Sequence, residues 1–136
     1  MEKELPNKYE LLSGANLAFI GDAYYELRIR KYLIDNKITK SNELKNLSVK
    51  YVSAHAHYLI CTVLLDMLTE TEKTIYKRGR NGAHHNYRRN LDYNEYNCST
   101  GFEAVIGYLY LQQDFKRLDE LIELSIKIIE EGKIWL

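Results

Sequence analysis

Proline is almost missing from this chain. It occurs once, at Pro6, and glycine only seven times in 136 residues. So few helix breakers and turn formers argue against a strand-and-turn fold and for long helices. Cysteine is scarce as well. Cys61 and Cys98 are too few for a disulfide scaffold, so reduced thiols are expected, with a pair packed in the core left open. No apolar run approaches the roughly 20 residues that cross a bilayer, so no membrane span is expected. The opening Met-Glu-Lys-Glu-Leu-Pro has no apolar centre of a secretory signal. Net charge is missing too: 19 basic residues balance 19 acidic ones. That balance alone does not describe a nucleic-acid binder.

What is present is unevenly placed. From Leu11 to Tyr25 the only charged residue is Asp22, and from Asn97 to Gln113 the only one is Glu103. Acids are rarely placed in apolar helices unless something compensates the charge. One acid in each of two such segments suggests that the fold brings them together around a cation. Between them, Lys77, Arg78, Arg80, Arg88 and Arg89 stand in a segment, Lys77 to Asn90, that contains no acid. The remaining 14 basic and 19 acidic residues leave the rest of the chain at −5. Positive potential is therefore concentrated in one patch, which would draw a polyanion.

Hydrophobic residues make up 46% of the chain, which excludes disorder and supports one folded domain with a real core. Ser13 is placed to cap a first helix running to about Asp35, with Leu17, Ile20, Tyr24 and Leu27 as its apolar stripe. Asn36 to Ser41 reads as a turn, with Thr39 or Ser41 capping a short helix through about Ser48. A longer helix is expected from about Val49 to Leu68, with Val52, His55, Leu59, Val63 and Met67 on one face. Thr69 and Glu72 form a capping-box pattern that opens a helix running into Lys77–Asn81. Gly79, Gly82 and the polar run to Asn97 read as a long loop. Ser99 or Thr100 would cap the Glu103 helix. Asp114 would start a last helix with Leu118, Leu121, Ile122, Ser125, Ile126 and Ile129 inward. No strand pattern or internal repeat is visible.

Ala15-Asn-Leu-Ala-Phe-Ile-Gly-Asp22 and Thr100-Gly-Phe-Glu-Ala-Val-Ile-Gly107 resemble the two signature helices of the ribonuclease III family, Glu-x-Leu-Glu-Phe-Leu-Gly-Asp and Asp-x-Phe-Glu-Ala-Leu-Ile-Gly. The Lys77-Arg-Gly-Arg-Asn81 segment and Ser99-Thr100 before Gly-Phe-Glu are most similar to its small bacterial branch, Mini-ribonuclease III. Three motifs in order, over about residues 12 to 130, make the resemblance specific. It implies an all-α, homodimeric endonuclease domain. It implies hydrolysis of double-stranded RNA to 5′-phosphate and 3′-hydroxyl ends, and maturation of a 23S ribosomal RNA precursor in the bacterial cytoplasm. A large-subunit ribosomal protein that shapes the substrate is a further implied partner. Ordinary members use four carboxylates. Here two of those positions hold Ala18 and Thr100, leaving Asp22 and Glu103. The sequence runs to Leu136, so a single catalytic domain over residues 1–136 is expected, without the double-stranded RNA-binding domain that usually follows. Mini-ribonuclease III is similar in both respects.

The chemistry fits these residues. Phosphodiester hydrolysis needs charge neutralisation and an activated water, and Mg²⁺ supplies both while bound by one or two carboxylates. Asp22 and Glu103 are the expected catalytic and metal-binding residues. Mn²⁺ would substitute, and Glu26 would act through water. Lys77, Arg78, Arg80, Asn81, His84, Arg88 and Arg89 are the expected RNA-binding residues, since duplex RNA is read through phosphates and 2′-hydroxyls. Plainer alternatives exist. Asp22 alone could cap a helix or pair with an Arg, and a charge run is usually a solvated face. His84 and His85 lack a third ligand at useful spacing, His55 and His57 read as structural, and Tyr24, Tyr108 and Tyr110 as core or interface. Phe19 and Tyr25, off the main stripe of the first helix, mark a candidate dimer interface. Loss of two family acids keeps open a non-catalytic RNA-binding or ribosome-assembly module.

Overall fold

The computed structural model describes residues 8–82 and 93–135. Within them the fold is all-α. Six helices follow in order: α1 (Gly14–Asp35), α2 (Ser41–Val52), α3 (Ala54–Leu64), α4 (Glu70–Asn81), α5 (Tyr93–Leu111) and α6 (Phe115–Trp135). Helix α5 is central and packs against α1, α3, α4 and α6.

Local chemistry explains most of the boundaries. Ser13 Oγ accepts the Asn16 amide at 3.1 Å and caps α1. The Thr69–Glu72 capping box of α4 is complete, at 3.1 and 2.9 Å. Asp114 Oδ1 accepts the Arg117 amide at 3.2 Å and starts α6. Helices α1 and α5 end in left-handed residues that are not glycine, Lys37 at φ 72° and Gln113 at φ 61°. Each turn is closed by a backbone bond reaching back into the helix, Ile38 to the Leu33 carbonyl at 3.1 Å and Asp114 to the Leu109 carbonyl at 3.0 Å.

Several sequence expectations need correction. The helix expected over Val49–Leu68 is broken at Ser53, whose extended backbone ends α2 and whose Oγ caps α3 through the Ala56 amide at 3.1 Å. Its buried face is Ala56, His57, Ile60, Cys61 and Leu64, whereas His55, Val63 and Met67 are exposed. Second, α2 starts after Lys40 with no side-chain cap, so neither Thr39 nor Ser41 serves. Third, Gly79 lies inside α4 and α5 begins at Tyr93, so the expected loop is shorter at both ends. Ser99 and Thr100 are therefore helical rather than capping; the Thr100 hydroxyl bonds the Tyr96 carbonyl at 3.1 Å.

The fourth correction concerns α1. Its buried face is Gly14, Leu17, Ala18, Gly21, Tyr25, Ile29 and Leu33, while Leu27 is 61% exposed. The expected stripe followed large side chains, but the face against α5 is selected by small ones. A Cβ on Gly21 would lie 1.8 Å from the Glu103 carbonyl, and one on Gly107 would lie 1.9 Å from the Leu17 carbonyl. The two backbones thus touch where they cross. Gly79 meets Thr100 and Gly101 in the same way and seats α4 on α5.

The rest of the core follows. Tyr25 is buried and packs edge-on against His57 and Phe102, with centroids 5.2 and 5.1 Å away; it is core and cannot be the dimer surface. Tyr108 is buried, and Tyr24 and Tyr110 pack ring on ring at 4.9 Å. The inward residues Leu118, Leu121, Ile122 and Ser125 of α6 are buried as expected. Both cysteines are free, with the Cys61 thiol 3.7 Å from the Cys98 carbonyl.

Gly107→Ala should force α1 from α5 and lower unfolding stability by about 3 kcal/mol or more, measured by urea titration. Gly132 has nothing within 4 Å of an added Cβ. Gly132→Ala should instead raise stability by roughly 0.5 kcal/mol. Similar effects from both substitutions would contradict the crossing as the constraint.

Candidate active site

The crossing of α1 and α5 places the two isolated acids together. Asp22 follows Gly21 directly, and Glu103 lies one turn before Gly107. The Asp22 side chain is exposed and that of Glu103 is 17% exposed. Burial, and then the Asp22 charge and hydrogen bond, push the Glu103 carboxyl well above the ordinary carboxylate value, with Glu26 adding to the rise. Glu26 stands one turn beyond Asp22 and accepts a hydrogen bond from Arg30 at 2.7 Å. It supplies negative field rather than a compensating cation.

Behind Glu103 lies His57, fully buried, with Nδ1 2.8 Å from Ser99 Oγ and 3.6 Å from Glu103 Oε2. Burial pushes its pKa down to about 3, so the ring is neutral. No sequence signal marked this histidine beyond its apolar helix.

The donor set suits a divalent ion at its simplest. Among the described residues no group of three or more His, Cys, Asp or Glu side chains converges as a metal cage. The exposed Asp22 and the less exposed Glu103 are hard oxygen donors. Mg²⁺ is typically held by one or two carboxylates, with waters and substrate oxygens completing its shell. A cation at this place would neutralise the charge that raises the Glu103 carboxyl. Ala18 is buried and brings no oxygen, and the Thr100 hydroxyl is engaged within its own helix.

The expected RNA-binding residues divide in three. Lys77, Arg80 and Asn81 are exposed on the last turn of α4. Arg80 lies 5.9 Å over the Tyr76 ring and donates to Asn81 Oδ1 at 3.3 Å. Arg78 is half-buried and donates to the Leu12 carbonyl at 3.2 Å, so it fastens the segment before α1. His84, Arg88 and Arg89 lie outside the described residues. Gly79, within this basic turn, packs on Ala104, the neighbour of Glu103. The basic turn and the acid pair are thus adjacent.

Fold, paired acids and adjoining basic turn agree with one class of protein. The family profile of the Ribonuclease III domain matches residues 15–114, and the chain belongs to the ribonuclease III family of endoribonucleases. Within it, the chain is 45% identical over 125 residues to Mini-ribonuclease 3 of Enterococcus faecalis, spanning 90% of this chain and 95% of that protein. It is 44% identical over 122 residues to Mini-ribonuclease 3 of Streptococcus pneumoniae, spanning 88% and 95%. A crystal structure of a Fusobacterium nucleatum protein superposes with a TM-score of 0.79 at 33% identity, covering 86% of this chain and 93% of that one.

The raised carboxyl has a pH consequence. From 4.5 up to its raised value, Glu103 binds more proton in the folded than in the unfolded chain. Its contribution to stability is therefore complete below 4.5 and lost as pH rises through the raised value. In EDTA, Glu103→Gln should gain thermal stability relative to wild type as pH rises from 4.5 towards neutrality. A difference that shrinks with pH would contradict the raised carboxyl.

Proposed function

We propose that the protein cleaves double-stranded RNA with Mg²⁺ held by Asp22 and Glu103, and that its substrate is a 23S ribosomal RNA precursor. The observation that carries this is the meeting of the two acids where α1 crosses α5, with no Lys or Arg paired to the Glu103 carboxyl among the described residues. Mg²⁺ or Mn²⁺ would supply an activated water and neutralise charge on the scissile phosphate. Asp22 and Glu103 present the oxygens that hold it, and Asp22, the more exposed, faces the substrate side. Glu103, backed by buried groups, sets the inner limit of the site. Lys77, Arg80 and Asn81 extend from the adjoining turn and would meet phosphates and 2′-hydroxyls of the duplex. His84, Arg88 and Arg89 would continue that surface.

One acid pair serves one strand, whereas a duplex has two. A two-fold dimer would set one pair against each strand. Phe19, 84% exposed, lies on one face of α1 with exposed Ala23 and Leu27. That spacing of four residues makes an apolar strip beside Asp22, suited to a second copy. No described helix is long and apolar enough to cross a membrane.

Asp22→Asn should lower cleavage of duplex RNA in Mg²⁺ by about a thousand-fold, roughly 4 kcal/mol of transition-state stabilisation, while circular dichroism is unchanged. Intact cleavage by this variant would sink the assignment, and intact RNA with wild type and Mg²⁺ would favour a binding module. Arg80→Ala should lower the slope of log affinity against log salt by about one for RNA binding. An unaltered slope would remove Arg80 from the interface.

A further inference from the structure

His57 is the buried polar group that the proposed chemistry leaves unused. It is 0% exposed and sits on α3, not on either helix that carries an acid. The Tyr25 ring meets it edge-on at 5.2 Å and the Phe102 ring is tilted over it at 4.8 Å. These rings leave the imidazole no alternative orientation without opening the core.

Its hydrogen-bonding assigns its tautomer. A neutral imidazole has one N–H and one bare nitrogen. His57 Nε2 is buried without a partner, and so is the nearby Tyr25 hydroxyl. A buried N–H with no acceptor is costlier and rarer than an unused lone pair. The hydrogen therefore belongs on Nδ1. Nδ1 lies 2.8 Å from Ser99 Oγ and 3.6 Å from Glu103 Oε2. The N–H donates to Ser99 Oγ, and Glu103 Oε2, beyond hydrogen-bond reach, faces the same positive edge of the ring.

A carboxylate that serves an ion must present one oxygen outward while its remaining lone pairs are satisfied from within. Such supporting donors fix ligand orientation, and their loss typically weakens metal binding about 10- to 100-fold. Among the described residues no Lys or Arg is paired with the Glu103 carboxyl. We infer that His57 is a positioning residue for Glu103: its Nδ1 edge, fixed by Tyr25, Phe102 and the bond to Ser99, backs the inner oxygen of Glu103 and holds the carboxylate towards the ion shared with Asp22. This rests on the proposed role of the Asp22–Glu103 pair. His57 itself touches neither ion nor RNA. Ser99 completes the arrangement by holding Nδ1 in register on the turn of α5 that precedes Glu103.

The test uses the full chain and Mn²⁺ as the probe. Mn²⁺ binding is read by electron paramagnetic resonance without RNA, and cleavage is read separately against Mn²⁺ concentration. His57→Phe keeps an aromatic ring and removes the donor. It should bind Mn²⁺ about tenfold more weakly and shift the Mn²⁺ midpoint of cleavage equally, with KM for RNA unchanged. His57→Asn restores an N–H on the atom attached to Cγ, where Nδ1 was, and should recover part of the affinity. Wild-type Mn²⁺ affinity in His57→Phe would overturn the inference. Should the Phe variant fail to fold, wild-type protein labelled with ¹⁵N-histidine decides. A Nδ1–H tautomer whose Nδ1 resonance moves on adding Mg²⁺ is expected; an Nε2–H tautomer, or no movement, overturns it. Asp22→Asn is the control. If it too binds Mn²⁺ like wild type, the acid pair itself is misassigned; if it loses Mn²⁺ while His57→Phe does not, only the positioning role falls.

Discussion

The contact on which the site depends is backbone against backbone, at the crossing of α1 and α5 through Gly21 and Gly107. Side chains normally keep helix axes 8–10 Å apart. Removing two of them at the crossing lets main-chain atoms touch and draws the flanking residues inward. Asp22 and Glu103 are flanking residues. Their separation is therefore set by a rigid junction rather than by flexible side chains. The second glycine junction, Gly79 on Gly101, fixes the basic turn to the same helix. Acid pair and basic turn share one frame, as a site acting on a polyanion requires.

Two acids in this fold show how surroundings separate structure from chemistry. Glu72 is buried, but both its oxygens are matched by the Arg117 guanidinium at 2.9 Å, and it also closes the α4 capping box. Its charge is answered within the fold. Among the described residues Glu103 has no such partner. It faces Asp22, with Glu26 nearby, and a neutral histidine behind. A pair of like charges held together lowers stability unless a proton or cation intervenes. Such an arrangement persists where it serves a function.

Much of the fold was legible in the sequence, and the reasons are local. The Ser13, Thr69 and Asp114 caps depend on residues within three positions, so their elements begin where expected. The inward face of α6 follows large apolar side chains at helical spacing and needed no tertiary knowledge. Misassigned faces share a cause: α1 and α3 bury small or polar residues, Gly14, Ala18, Gly21, Ala56 and His57. Size-based patterning passes over such positions. Ser53, placed within a run of helical spacing, breaks the helix because its hydroxyl caps the next one.

The sequence by itself determined which residues were candidates. Two acids isolated in apolar stretches, and a basic run without acids, are facts of order along the chain, and they carried the family resemblance. Only the tertiary structure decided that the acids meet, that Arg78 turns inward to Leu12 while Arg80 stays outside, and that His57 stands behind Glu103. Those are matters of helix crossing and burial. They depend on how closely backbones approach, which contacts between residues far apart in the chain determine and no local pattern encodes.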